Sequence, residues 1–167
     1  MTGKFDLLYE GIEPAVSPDG VNLVFISGGD LVLLRHNSRT TLATGQISTP
    51  AFFPDNQRIA YVEGFPGRRI IRTIEAPLTD SGDCFQPSVS PDGQSLAFAC
   101  SDTRGSQIWI MNLAFRNRHP ITTGACNHTW PAWARDSRAV IFASDCNRGF
   151  ALPALYTLRV DTIKPAR

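Results

Sequence analysis

The chain has 167 residues, a formal net charge of +1, 43% hydrophobic residues and 19% charged ones. That is the length of one domain with a real core and the make-up of an ordinary water-facing protein. The near-zero charge, the lack of a basic cluster interleaved with aromatics, and the lack of any apolar run near ~20 residues argue against recruitment of nucleic acid and against a membrane span of its own.

The opening MTGKFDLLYEG lacks the apolar h-region of a secretory signal. Within it Phe5–Glu10 reads as a strand. A repeat then begins. PAVSPDG at Pro14 returns as PAFFPDN at Pro50, PSVSPDG at Pro87 and PAWARDS at Pro131. An apolar strand follows each copy: LVFIS, IAYVE, LAFAC and VIFAS. A period of roughly 40 residues means stacked supersecondary units, none able to bury its own core alone.

The first repeat is expected to hold strands at Pro14–Ser17, Asn22–Ser27, Asp30–His36 and Arg39–Thr44. The second holds Thr49–Phe53, Arg58–Glu63, Arg69–Ile74 and a weak fourth near Glu75–Thr79. In the third, Phe85–Ser90 leads into Pro91-Asp92-Gly93, read as a three-residue hairpin loop. Proline presets φ, Asp caps the turn, and Gly takes the left-handed position. Ser95–Cys100, Gln107–Leu113 and Arg118–Thr123 follow. The fourth repeat has Trp130–Ala134, Ala139–Ser144 and Ala154–Val160, and no fourth strand. No segment keeps a 3.6-residue apolar period over three turns.

Four antiparallel strands per unit make the blade of a β-propeller. The expected fold is therefore all-β: one domain over residues 1–167, with four four-stranded blades at about 12–46, 47–83, 84–125 and 126–160. Strand 5–10 would complete the last blade, closing the ring in cis or, between two chains, as an eight-bladed dimer. Blades this small widen poorly into a four-fold ring, which favours the dimer. The third alternative, part of a longer propeller, is disfavoured because the chain opens with the strand its end lacks.

The motif P-x-x-S-P-D-G-x-x-(L/I)-(V/A)-F, with its T-rich fourth strand, resembles the TolB-type propeller repeat. It is also similar to the propellers of the prolyl oligopeptidase and tricorn families. Pro14, Ser17, Pro18, Asp19, Gly20 and Phe25 match it, as do Pro87, Ser90, Pro91, Asp92, Gly93 and Phe98. Phe53 and Asn56 depart from it in the second repeat, and Ala134, Arg135 and Ser137 in the fourth. The resemblance implies protein–protein contacts and an extracytoplasmic setting.

The four cysteines lack C-x-x-C spacing. Counting outward from the hairpin loop, with Ser90 opposite Gln94, sets Cys84 opposite Cys100. The same count from Ala134 opposite Arg138 sets Cys126 against Cys146. Opposed Cβ atoms lie close to disulfide range. Cys84–Cys100 and Cys126–Cys146 are the expected disulfides, each worth on the order of 3 kcal/mol. They imply a periplasmic or extracellular location. The rival is a metal site on Cys126, His128 and Cys146 with Asp145 nearby, which lacks a clear fourth ligand. No metal and no cofactor are therefore expected.

Catalytic motifs are missing: no G-x-S-x-G, phosphate loop or H-E-x-x-H occurs. Asp19, Asp55, Asp92 and Asp136 recur at one spot of each repeat, where turn chemistry accounts for them. The chain is expected not to be an enzyme. The loops before strand one and after strand two share one face, which collects Gln46, Ser48, Asp102, Thr103, Arg104, Asn127, His128, Asp145, Asn147, Arg148 and Phe150. The longest loop, Asp145–Leu155, carries Arg148 and Phe150, residue types favoured at hot spots. Trp130 and Trp133 should point to opposite faces, one into the core and one toward the channel. The favoured function is a non-catalytic interaction module, an accessory subunit of an envelope complex with protein partners or a second copy of itself. The alternatives are a propeller holding a sugar, peptide or cation in its channel, and the gating fragment of a hydrolase.

Overall fold

The computed structural model describes residues 9–148 and 153–160. They form four antiparallel sheets. Blade I contains β1 (Ile12–Val16), β2 (Asn22–Ser27), β3 (Asp30–Arg35) and β4 (Ser38–Ala43). Blade II contains β5 (Ile47–Phe52), β6 (Ile59–Glu63) and β7 (Ile70–Arg72). Blade III contains β8 (Asp83–Val89), β9 (Ser95–Asp102), β10 (Gly105–Asn112) and β11 (Arg118–Pro120). Blade IV contains β12 (His128–Trp133), β13 (Ala139–Ser144) and β14 (Ala154–Arg159). The sheets stack in sequence order. Among the described residues, sustained packing joins I to II, II to III and III to IV, but not IV to I. No helix among the described residues is long and apolar enough to cross a membrane.

Among the described residues, blades II and IV have three strands each. In blade II the fourth strand shrinks to a single bridge between Arg72 and Pro77. Pro77 has no N–H to give a ladder. Instead the Thr79 hydroxyl accepts the Ile71 N–H at 2.9 Å. Thr122 does the same for the Ile108 N–H at 2.8 Å in blade III, which explains the Thr-rich fourth segment of the repeat. In blade IV the missing strand was assigned to Phe5–Glu10, of which residues 5–8 lie outside the described residues. Tyr9 and Glu10 join no strand. Tyr9 stacks on Phe25 of blade I, with ring centroids 6.1 Å apart.

The turn chemistry is that of the motif, with one residue more in the loop. The Ser90 N–H donates to the Ser95 carbonyl at 2.8 Å. Ser90 therefore closes on Ser95, not on Gln94, and four residues form the loop. The Asp92 carboxylate accepts the Ser90 hydroxyl at 2.5 Å and the Gln94 N–H at 3.0 Å. Gly93 sits at φ 71°, a region open to glycine. Asp19, Asp55 and Asp136 accept turn N–H groups in the same way. The Ser17 hydroxyl, followed by the Val21 N–H, holds the Asp19 carboxyl below its ordinary pKa. These four acids are occupied by the turns.

The departures from the motif connect blades. Asn56 and Ser137 replace Gly and keep its positive φ, at 62° and 60°. The Asn56 side chain accepts the Asp19 N–H of blade I at 2.9 Å. The Ser137 hydroxyl accepts the Asp92 N–H of blade III at 3.1 Å. Between blades II and III, Pro54 packs instead on the bare face of Gly93.

The core lies between blades. Phe53, Ile71, Leu96, Phe98, Ile108 and Val140, from three blades, are each at most 1% exposed. Alternation along each second strand sends one face to the preceding blade and the other to the next. The residue just before the aromatic of that strand is Val24, Ala60, Ala97 or Ile141. The first three are fully buried, whereas Ile141 is 40% exposed because its outward face meets no further blade among the described residues.

Candidate functional site

Two places gather residues that are not consumed by the fold. The first lies on the axis around which the four inner strands converge. Each inner strand is broken by a one-residue bulge, between Ile12 and Ala15, Ser48 and Ala51, Phe85 and Ser88, and Thr129 and Ala132. The residue before each repeat proline takes a positive φ: Glu13 52°, Thr49 44°, Gln86 54° and Trp130 55°. Such a φ is uncommon for a side-chain-bearing residue. The bulge turns four prolines and these four side chains toward a common pocket of about 490 Å³, completed by Ala132. Adjacent bulges are tied together. Glu13 accepts the Thr49 N–H at 2.5 Å, and the Gln86 side chain accepts the Trp130 N–H at 2.8 Å. Trp130 is 63% exposed here. Trp133 turns the other way, its indole N–H donating to the Ser88 carbonyl at 2.9 Å. The sequence reading placed a tryptophan on the channel but missed the bulge residues. Their only signal was the x-Pro at the start of every repeat.

The bulge also explains the cysteine register. The extra loop residue shifts the ladder by one, and the bulge shifts it back. Cys84 then pairs directly with Cys100, and the two are joined as a disulfide. In blade IV the ladder ends at His128 opposite Ser144. Cys126 and Cys146, joined as the second disulfide, lie just beyond.

The second place is the loop end of blades III and IV. The β9–β10 turn is closed by Asp102, whose carboxylate accepts the Arg104 N–H at 2.7 Å. That N–H is the main cause holding the Asp102 carboxyl below its ordinary pKa. Gly105 brings this turn against the Cys126 carbonyl so closely that a Cβ would collide with it. Buried Gln107 donates to the Gly124 carbonyl at 2.9 Å and accepts the Thr122 hydroxyl at 3.0 Å, fixing the crossover into blade IV. Asn127 and Asp145 then clamp each other. Asp145 accepts the Asn127 N–H at 2.7 Å and its side-chain amide at 2.9 Å. The amide, followed by the backbone N–H, lowers the Asp145 pKa.

These loops bound an open pocket of about 410 Å³, lined by Arg104, Ala125, Cys126, Asn127, Asp145, Cys146 and Asn147. Arg104 reaches over it with its side chain 70% exposed, paired only loosely to Asp102 at 3.4 Å. Arg148 is also exposed. Asp102 adjoins Arg104, and Arg148 adjoins Asp145, so these residues and Asn147 lie at this loop end. His128 is not on that surface. It is 6% exposed and turned inward, its ring edge-on to Phe142 at 5.5 Å, because alternation along β12 points it to the core side. Phe150 lies outside the described residues.

A family model described as the TolB beta propeller domain matches residues 36–167. Among solved structures, the putative TolB from Agrobacterium tumefaciens superimposes with a TM-score of 0.76 at 21% identity, covering 89% of this chain and 57% of that one. TolB from Acinetobacter baumannii gives 0.65 at 23% identity, over 89% of this chain and 38% of that one. A Mycobacterium tuberculosis puromycin-hydrolyzing peptidase gives 0.69 at 18% identity, over 92% and 29%. This chain therefore spans little more than half, or less, of the proteins it resembles, and at these identities the likeness is one of fold. With the family model matching well over half of the sequence, the chain belongs to the TolB β-propeller domain family.

Proposed function

We propose that the chain is a non-catalytic interaction module of an extracytoplasmic assembly, presenting the loop end of blades III and IV to a protein partner. The observation that carries this reading is the preordered polar end around Arg104. An Asx turn, the Asn127–Asp145 clamp and a disulfide hold Asp102–Arg104, Cys126–Asn127 and Asp145–Cys146 in place, so these residues have little conformational freedom to lose on binding. Exposed arginine next to amide and carboxylate groups is a favoured recognition surface. The disulfides support an oxidising compartment.

The test is site-specific photocrosslinking in the native source. A crosslinker at Arg104 or Asn147 should yield the same discrete adduct, and one at Gln57, on the opposite end, should not. Equal labelling from both ends would contradict the reading.

A second reading is a ligand held on the axis. The apolar, proline-lined pocket with exposed Trp130 favours it. Saturable quenching of Trp130 fluorescence by short peptides or oligosaccharides, lost in Trp130→Leu, would select this reading over the first.

A further inference from the structure

The sulfur atoms of Cys126 and Cys146 and an imidazole nitrogen of His128 all lie within 4.8 Å of one another. His128 Nε2 is 3.7 Å from Cys146 Sγ. Around a tetrahedral zinc, ligand atoms sit about 3.3–3.8 Å apart, given bonds of about 2.0 Å to nitrogen and 2.3 Å to sulfur. The imidazole is already aimed at the sulfurs, so separating those sulfurs is the main movement required.

We propose that Cys126, His128 and Cys146 become a divalent-metal site of the zinc class when a dithiol reductant opens the Cys126–Cys146 bond. The proposal does not rest on the interaction reading above, although it concerns the same disulfide.

Four observations carry the proposal. First, the disulfide lines an open pocket of about 410 Å³, which admits the reductant, the metal and a water as fourth ligand. Second, His128 is 6% exposed, and its Nδ1 makes no well-formed hydrogen bond. A buried imidazole with unsatisfied bonding capacity is costly unless it has a further use. Third, the ligand atoms that converge are those of Cys126, His128 and Cys146, while the Asp145 carboxylate is engaged by Asn127 outside that cluster. Fourth, the other disulfide offers nothing similar. Cys84 and Cys100 are 1% and 9% exposed, and Cys84 Sγ has beside it the Ser81 carbonyl at 3.8 Å and the Arg118 guanidinium at 4.0 Å, whose charge repels a cation.

The chemistry balances. A thiolate of the reductant attacks one sulfur, the Cys126–Cys146 bond breaks and a mixed disulfide forms. The second thiol of the reductant displaces the remaining cysteine and closes the reductant's own disulfide. The reductant loses two electrons, and Cys126 and Cys146 leave as two thiols. The metal ion then displaces both thiol protons, while His128 offers its Nε2 lone pair and keeps its proton on Nδ1.

The test is a Co²⁺ titration of the whole chain after anaerobic dithiol treatment and removal of the reductant. Peptide mapping reports which cysteines are free, and near-UV circular dichroism reports the fold. The expected result is one Co²⁺ per chain with a thiolate-to-cobalt charge-transfer band, displaced by Zn²⁺ and missing in the oxidised protein. Binding should vanish in Cys146→Ser and weaken at least tenfold in the volume-conserving His128→Gln. It should persist in the Cys84→Ser/Cys100→Ser variant, provided circular dichroism shows that variant folded. The proposal is overturned if reduced, folded protein with Cys126 and Cys146 free takes up no Co²⁺. Undiminished binding by His128→Gln, or unfolding before Cys126–Cys146 opens, overturns it equally.

Discussion

Blades III and IV are built from one repeat, and each carries a disulfide at the same end of its first hairpin. Their surroundings differ. Blade III is packed on both faces, by β6 of blade II and by β12 of blade IV. Blade IV meets a neighbour on one face only among the described residues. Equivalent positions show the result. Ala97 is fully buried while Ile141 is 40% exposed, and Leu155 on the same outward face as Ile141 is 78% exposed. The comparison teaches that a blade is defined by its neighbours as much as by its sequence. Apolar side chains at these positions serve the stack, as expected where stability is a sum of nearest-neighbour terms.

Substitutions at paired positions sharpen this contrast. Ala97→Asp buries an unpaired charge between two blades and should cost more than ~4 kcal/mol, enough to prevent folding. Soluble expression and circular dichroism would report it. Phe98→Ala should cost about 3–5 kcal/mol, and Phe142→Ala in blade IV distinctly less, because a site with one neighbour relaxes more easily. Urea midpoints at constant m-value would measure both.

Removing Cys84–Cys100 as a serine pair should cost about 3 kcal/mol. The bond closes a loop with a sequence separation of 16. Beside it, Asp83 receives Arg69 in a fork at 2.7 and 2.6 Å. That hydrogen-bonded pairing holds the Asp83 carboxyl below its ordinary pKa, against the opposing effect of burial. The pair's contribution is therefore complete above the unfolded-state value of about 4 and is lost as the pH falls through the lower folded value. Asp83→Asn should lower stability at pH 7 by about 1.5–3 kcal/mol. It should also flatten the pH dependence below pH 4, which thermal melts across pH 2–7 would show. The smallest effect is expected at the open face, where Ile141→Thr should stay within about 0.5 kcal/mol.

Much of this was legible because the repeat carries its own turn chemistry. Pro-Asp-Gly announces the hairpin, and the apolar strand after it announces the core. The cysteine pairing was readable for a less direct reason. The loop is one residue longer than the motif suggested, and the bulge at Gln86–Pro87 compensates by one, so the count was right at the cysteines and wrong near the turn. The bulges themselves were hidden, since Glu13, Thr49, Gln86 and Trp130 share no side-chain chemistry and residues preceding proline normally stay extended. The axial pocket they build was hidden with them. Asn56 and Ser137 looked like decay of a turn motif, and their role became visible only once the neighbouring blade stood beside them. His128 was placed on the surface because loop arithmetic locates a segment, not the direction of a side chain.

The account rests most heavily on the register of the hairpins in blades III and IV. Peptide mass spectrometry of non-reduced protein from its native source tests that register directly. The account predicts Cys84 linked to Cys100 and Cys126 linked to Cys146, which also supports an oxidising compartment. Four free thiols, or any bond linking a blade III cysteine to a blade IV cysteine, would contradict it.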